Sequence, residues 1–447
     1  MYDAVGIEDR GKPTVTLCNS GFVIDARSAA SSKGMPVLRL ISENVAPARA
    51  VMADVEAEVA ATMMDYVIAS LTRPLTDEEI SPKPKPVEKF PRIVFKGSLE
   101  EVNRFFYRRG WTDGLPVIPP TEEAVAEMLT GTDLPPDYVI GKMLPRLGKA
   151  TVEKVAINAV MAGALPTYMP VLIAGVRASL DPKAHGHGWA VSTGAWAPFW
   201  IINGPIRNDL HINSGVGALS PGDIANAAIG RAMGLIIKNI RGTRKGVEDM
   251  GTVGSPMKYS MVAAEAEEDS PWEPLHVEQG FKKEDSAISF FFPNMFIATG
   301  GKFPGVIYRV PQGPGVICFM ITPVHAKELA KQGWTKKSIK NYLSENARVP
   351  AYQSSYYPNG SNVFEGYAKD QLPPNPQDTI KVMANPEGIW IFVAGGPGGG
   401  IGIMRGSPRF DLGGYRVNLV THKIDLPKNW DKLVKKYHDV VPVYQMY

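Results

Sequence analysis

Between Lys258 and Glu278 the chain reads Lys258-Tyr259-Ser260-Met261-Val262-Ala263-Ala264-Glu265-Ala266-Glu267-Glu268, then Ser270-Pro271-Trp272-Glu273-Pro274-Leu275-His276-Val277-Glu278. Carboxylates, a histidine, a lysine and a tryptophan in so short a run form a chemical density, not a core pattern. The apolar residues from Tyr259 to Ala264 predict a buried strand that delivers Glu265 and Glu267 to its end on one face, because strand side chains repeat every second residue. His276 and Glu278 stand in the same relation. Imidazole and carboxylate are the commonest general acid and base, since burial or a neighbouring charge moves their pKa values toward neutrality. Catalytic roles therefore fall to His276, Glu278 and Glu265. The competing reading is a solvated acidic loop that follows a strand.

Other residues invite chemistry on their own account. Cys18 ends an apolar run and precedes Asn19-Ser20-Gly21, so in an α/β unit it sits at a strand's carboxyl end beside turn amides. Most free cysteines are small buried hydrophobes, and Cys318, within Val316 to Ile321, is assigned to the core. His185 and His187, in His-Gly-His, would share one side of an extended segment, and His211 could complete a set of three metal ligands. The sequence from Gly395 to Gly402 follows a strand, and its bare amides at Gly395, Gly396 and Gly398 could cradle an anion. No helix follows directly, so it is not a dinucleotide fingerprint. Asn213 and Ser214, near the start of a long helix, make a second oxyanion candidate, and Lys258 and Asp113 complete the expected substrate-binding set.

These residues need elements to position them. Thr14 to Leu17 reads as a strand, Asp25 to Lys33 as a helix, Pro36 to Ile41 as a strand, and 47 to 71 as a helix with an apolar stripe through Val51, Val55, Val59 and Met63. This βαβα order implies parallel pairing. Residues 81–92 hold four prolines among lysines and predict a stiff linker between a small domain, 1–80, and a large one, 93–447. In the large domain a capping box, Ser98 with Glu101, opens a helix to Arg109. Further helices are expected over 151–164, 168–180, 222–239 and 323–347, and strands over 199–203, 259–264, 286–292, 315–321, 378–383, 389–394 and 416–424. The fold class is α/β, with mixed α+β as the alternative. Two strand-then-Gly-Pro phrases, at Trp200 to Pro205 and Trp390 to Pro397, suggest two related halves.

Composition narrows the function classes. The 48 basic and 45 acidic residues are nearly balanced and scattered, which excludes a nucleic-acid-binding face. The apolar stretch from Val155 to Leu180 contains Pro166 and Pro170 and is broken at Asn158 and Arg177, so no membrane span is expected. Two cysteines and an amino terminus without a signal-peptide pattern point to the cytoplasm.

The Lys12-Pro-Thr14 opening, the Cys18 turn, Lys33-Gly-Met-Pro36 and Leu71-Thr-Arg-Pro-Leu-Thr-Asp-Glu-Glu79 resemble proteins of the UGSC family, where a cysteine or selenocysteine lies in a U-G-S-C motif. Here the turn reads Cys18-Asn19-Ser20-Gly21 without the second cysteine, which removes a two-thiol cycle within the motif. The larger region, from Trp111-Thr-Asp-Gly-Leu-Pro through Asp249-Met-Gly to His276, is similar to uncharacterised proteins associated with that family. The resemblance implies a thiol or selenol enzyme and carries over Cys18 alone. The expected protein is a cytoplasmic homo-oligomeric enzyme acting on a small anionic organic molecule, with a Cys18 thiolate and His/Glu acid–base partners, as a thiol-dependent oxidoreductase or a lyase or hydrolase. The alternatives are a hydrolase or lyase holding a divalent metal on the histidines, and a non-catalytic binding subunit.

Overall fold

A computed structural model describes residues 2–43, 53, 56–57, 59–81, 91–184, 186–300, 316–350, 375, 377–381, 386–406 and 419–441. The N-terminal unit begins with α1 (Tyr2–Glu8), β1 (Thr16–Asn19), α2 (Val23–Ser32) and β2 (Leu40–Glu43). The two strands pair in parallel, with Cys18 opposite Ser42, and Val5, Ala30 and Leu38 form a small core beneath them. After α3 (Met64–Thr72) comes α4 (Asp77–Ile80), capped by Thr76 and Glu79 in a reciprocal box. Buried Arg39 ties this segment to β2 through Glu79 at 3.0 Å. Arg39 and then Arg73 hold the Glu79 carboxyl far below the usual carboxylate range. The start of the expected 47–71 helix and the proline-rich core of the expected linker lie outside the described residues.

Helix α5 (Leu99–Arg108) starts at the predicted Ser98/Glu101 capping box, and α6 (Glu122–Leu129) starts at Thr121. An unforeseen hairpin follows, β3 (Val139–Met143) with β4 (Gly148–Thr151). The long apolar stretch becomes two helices, α7 (Val152–Ala162) and α8 (Met169–Leu180), parted at Gly163, which takes a left-handed φ of 77°. No helix among the described residues is long and apolar enough to cross a membrane.

Next come α9 (Gly186–Trp189), β5 (Phe199–Asn203), α10 (Ile206–Asp209), α11 (Ile224–Ile236), β6 (Val262–Ala264), α12 (Leu275–Glu278), β7 (Ala287–Phe291) and β8 (Met295–Thr299). Then follow β9 (Ile317–Ile321), α13 (Pro323–Lys331), α14 (Lys336–Asn346), β10 (Arg348–Pro350), β11 (Thr379–Lys381), β12 (Ile389–Val393), β13 (Ile401–Arg405), β14 (Val420–Lys423) and α15 (Trp430–Tyr437).

Two four-stranded sheets organise this region, in the orders β14-β7-β5-β6 and β12-β9-β13-β8. Each has a parallel pair at one edge, β5 with β6 and β9 with β12, and antiparallel strands beyond it. Alternation along the strands builds the layers. Phe199, Ile201, Phe291, Trp390 and Phe392 meet between the sheets. Trp200, Ile202 and Phe290 face α7, α8 and α11, while Ile317, Phe319 and Ile321 pack with Ile391 against α13 and α14. The result is four layers, helix on sheet on sheet on helix. The two sheets share one pattern of strand directions, but the sequence phrases pair differently from expectation. The Trp200 strand is an inner strand whose counterpart is β9, whereas the Trp390 strand is an edge, the counterpart of β6.

Candidate functional site

The carboxyl ends of both parallel pairs meet at one end of the sandwich. Ala266 donates to the Val393 carbonyl at 2.7 Å, and Gly395 to that of Ser214 at 2.8 Å, so β6 and β12 finish side by side. Such a convergence is where α/β proteins gather ligands. At this point β5 ends in Asn203-Gly204-Pro205. Gly204 has a φ of 83°, and a Cβ there would lie 2.2 Å from the Asp285 carbonyl oxygen, so no larger residue fits.

Glu265 and Glu267 do arrive together, as the spacing predicts. Asn203 Nδ2 donates to Glu265 Oε2 at 2.7 Å and to Glu267 Oε1 at 3.0 Å. Glu265 is fully buried and also accepts from the amides of Leu275 at 2.7 Å and Val393 at 3.3 Å, with Lys336 Nζ 3.6 Å away. The Gly204 amide donates to Glu267 at 2.7 Å, and Arg207 Nε lies 3.2 Å from the same oxygen. Buried Arg207 reaches Glu268 at 2.8 Å and the carbonyls of Gly204 and Glu265. Its hydrogen bonds push the Glu268 carboxyl down to about 2.

His276 is fully buried, and among the described residues neither ring nitrogen has a hydrogen-bond partner; its Nδ1 stands 3.9 Å from Glu267 Oε1. The expected extended relation of His276 to Glu278 is replaced by the helical turn α12, in which residues two apart point to nearly opposite sides. Glu278 accordingly turns outward to Lys336 at 3.6 Å and Lys340 at 3.4 Å. It is a charge partner of the lysines, not of the imidazole. Asn203, Arg207, Glu267 and Lys336 complete the cluster. The Asn-Gly-Pro phrase marked the first, but Lys336 reads in sequence like any solvated lysine.

The glycine segment joins the same end. Gly395 has a φ of 116°, and Thr322, the residue before α13, packs against it; Gly400 donates to Thr322 Oγ1 at 3.2 Å. His325, in the first turn of α13, lies against Gly399, and its Nδ1 has no hydrogen-bond partner among the described residues. The amides of Gly396, Gly398 and Gly399 have no acceptor among the described residues.

The remaining candidates are placed elsewhere or otherwise engaged. Asn213 Nδ2 donates to the Val216 carbonyl at 2.9 Å and to Asp223 at 2.8 Å, and its own carbonyl accepts from Ala264. It and Ser214 therefore brace the loop, and the Asp223 carboxylate at the start of α11 disfavours an anion there. Lys258 pairs with Asp249 at 2.7 Å, and Asp113 forms a bidentate pair with Arg231. His211 Nε2 lies 3.1 Å from the His438 carbonyl, and its ring stands edge-on to that of His438. His185 lies outside the described residues, and His187 falls in a helical turn instead of an extended segment. Among the described residues no group of three or more His, Cys, Asp or Glu is placed to hold a metal. A surface cavity of about 520 Å³ beside Asp209, Trp430 and His438 contains none of the cluster at the strand ends.

Cys18 belongs to another neighbourhood. From α2, Ser28 donates to Glu248 Oε1 at 2.9 Å, and Arg146 bonds both residues. Glu248 follows the far end of the α11 helical run, which continues as a wider turn to Arg241, while Asn226 at its near end bonds Asn213 and Val262. At about 1.5 Å per residue, that run separates the two regions by roughly 25 Å. Cys18 is half-buried, and burial, then Asp25 and Glu43, push its thiol up from its ordinary value. Burial first, and then these acids, work against the expected activation toward thiolate. Cys318 is buried between the sheets, as expected.

Residues 1–73 match the family model described as UGSC family. The likeness to that family is confined to this N-terminal unit. The match covers β1, the Cys18 turn, α2, β2 and α3 and ends before the proline-rich segment; no curated protein and no solved structure matches the chain. Two outcomes are expected. Alkylation of Cys18 should titrate above 9.0, and Cys318 should stay unmodified in the native protein; a Cys18 midpoint near 7 would mean that a base activates it. Burial, then Glu248, pushes the Asp25 carboxyl up to about 6 from 3.8. Its protonated form is favoured on folding, so this stabilisation is full below about pH 4 and is lost as pH rises through 6. Thermal unfolding across that range should show the loss in the wild type and a flatter profile in Asp25→Asn.

Proposed function

We propose that this protein is a cytoplasmic, homo-oligomeric enzyme acting on a small organic anion, with His276 as general acid or base at the joined strand ends. The observation that carries this reading is a fully buried imidazole with neither nitrogen hydrogen-bonded among the described residues, 3.9 Å from Glu267 Oε1. An unmade hydrogen bond of a buried group costs about 1–3 kcal/mol, a penalty that functional sites sustain and ordinary cores avoid. Glu267, held by Asn203, Gly204 and Arg207, is close enough to steady a protonated imidazole as a substrate engages it. The open amides of Gly396, Gly398 and Gly399 support an anionic substrate. The thiol of Cys18 stands apart from this chemistry.

The test is a thermal-shift panel of small mono- and dicarboxylates and phosphate on wild type and His276→Gln. At least one compound should stabilise the wild type, and the variant should bind it about tenfold more weakly or worse. If no compound stabilises the wild type, or if the variant responds equally, the reading fails.

A further inference from the structure

Asn203 is fully buried, and its neighbours dictate how its amide points. Nδ2 donates to Glu265 Oε2 and Glu267 Oε1, so turning Oδ1 toward them would set acceptor against acceptor. Among the described residues Oδ1 has no donor, and His276 has no hydrogen-bond partner on either nitrogen. Both side chains converge on Glu267 Oε1, Asn203 Nδ2 at 3.0 Å and His276 Nδ1 at 3.9 Å.

We infer that Asn203 Oδ1 and the His276 imidazole form a binding site for one hydroxyl group, supplied by a resident water or by a small hydroxylated carboxylic acid as substrate. The argument is one of complementarity. Asn203 Oδ1 only accepts, so its partner must donate; the imidazole nitrogen that faces it donates or accepts according to the tautomer, so a partner able to do both suits either form. A hydroxyl does both. A carboxylate would leave Oδ1 unpaired, and an ammonium group could pair with the imidazole only through a nitrogen that accepts, whereas a hydroxyl can pair with either nitrogen. The choice of a hydroxy acid rests on the acid–base reading of His276, whereas the hydroxyl site itself does not.

Two measurements on the whole 447-residue chain separate these. In crystals grown without hydroxy acids and diffracting to about 1.5 Å or better, an oxygen peak is expected about 2.6–3.2 Å from Asn203 Oδ1 and from a His276 ring nitrogen. In parallel, wild type is titrated with matched pairs, malate against succinate and lactate against propionate. A peak with equal responses within each pair assigns the hydroxyl to resident water. A preference of about tenfold or more for the hydroxylated member assigns it to the substrate. If neither member binds but the peak is present, the hydroxyl site stands and the acid–base reading falls. Equal binding of both members without a peak leaves the acid–base reading standing and overturns the hydroxyl site, as does the absence of both peak and binding.

Discussion

Glu265→Gln should lower the stability of the protein by about 3–5 kcal/mol, the usual cost of removing one partner from a buried charge pair. Glu265 is fully buried, and its two oxygens collect donors from both sheets: Asn203 at the end of β5, the Leu275 amide, the Val393 amide of β12, and Lys336 from α14. A glutamine keeps one acceptor but turns an NH₂ toward donors, and it leaves Lys336, 4% exposed, with Glu278 as its remaining carboxylate. The sequence placed Glu265 among the catalytic residues. Complete burial makes the residue a brace between sheets instead. Adding Lys336→Gln should cost less than the sum of the two single changes, because the charges are coupled. Denaturant midpoints of the two singles and the double decide the matter; a single-variant loss below about 1 kcal/mol, or strict additivity, would show that Glu265 is not held as a charge.

Arg207→Met should cost about 3 kcal/mol or more, since it strands the buried Glu267 carboxylate and frees the Gly204 and Glu265 carbonyls. It should also change the response to acid. Arg207 holds the Glu268 carboxyl down to about 2 from 4.5, so the stabilisation it brings is present above pH 4.5 and is lost as pH falls through 2. Acid-unfolding curves should show that component in the wild type and lack it in the variant. Glu268 is 65% exposed, so its own share is small and the neutral-pH loss comes from Glu267. Equal stability of Arg207→Met and wild type at neutral pH would mean that Glu267 is satisfied by Asn203 and Gly204 alone.

The readable parts of the chain were those whose signals are local. Ser98 with Glu101 marks a helix start because side chain and amide lie three residues apart. The apolar runs at Phe199–Asn203, Ile317–Ile321 and Ile389–Val393 are buried strands, since a strand covered on both faces needs no polar alternation. By contrast, β8 and β13 were missed: glycines and weak alternation obscure Met295–Thr299 and Ile401–Arg405, and their identity as strands comes from pairing with each other across a long separation in sequence.

At the candidate site the sequence by itself determined that Glu265 and Glu267 would leave one strand end together and that the glycine segment would follow another, because both follow from chain direction and side-chain period. Only the tertiary structure decided which ends meet. It brought β6 beside β12, so that Val393 could bond Glu265, and it buried Lys336 from a distant helix against the same carboxylate. It turned Leu275–Glu278 into a helical turn that separates His276 from Glu278, and it carried Cys18 to the other end of α11 among acids that disfavour a thiolate. These outcomes depend on contacts between residues tens to hundreds of positions apart, and burial and charge at such contacts have no local signature for a sequence to display.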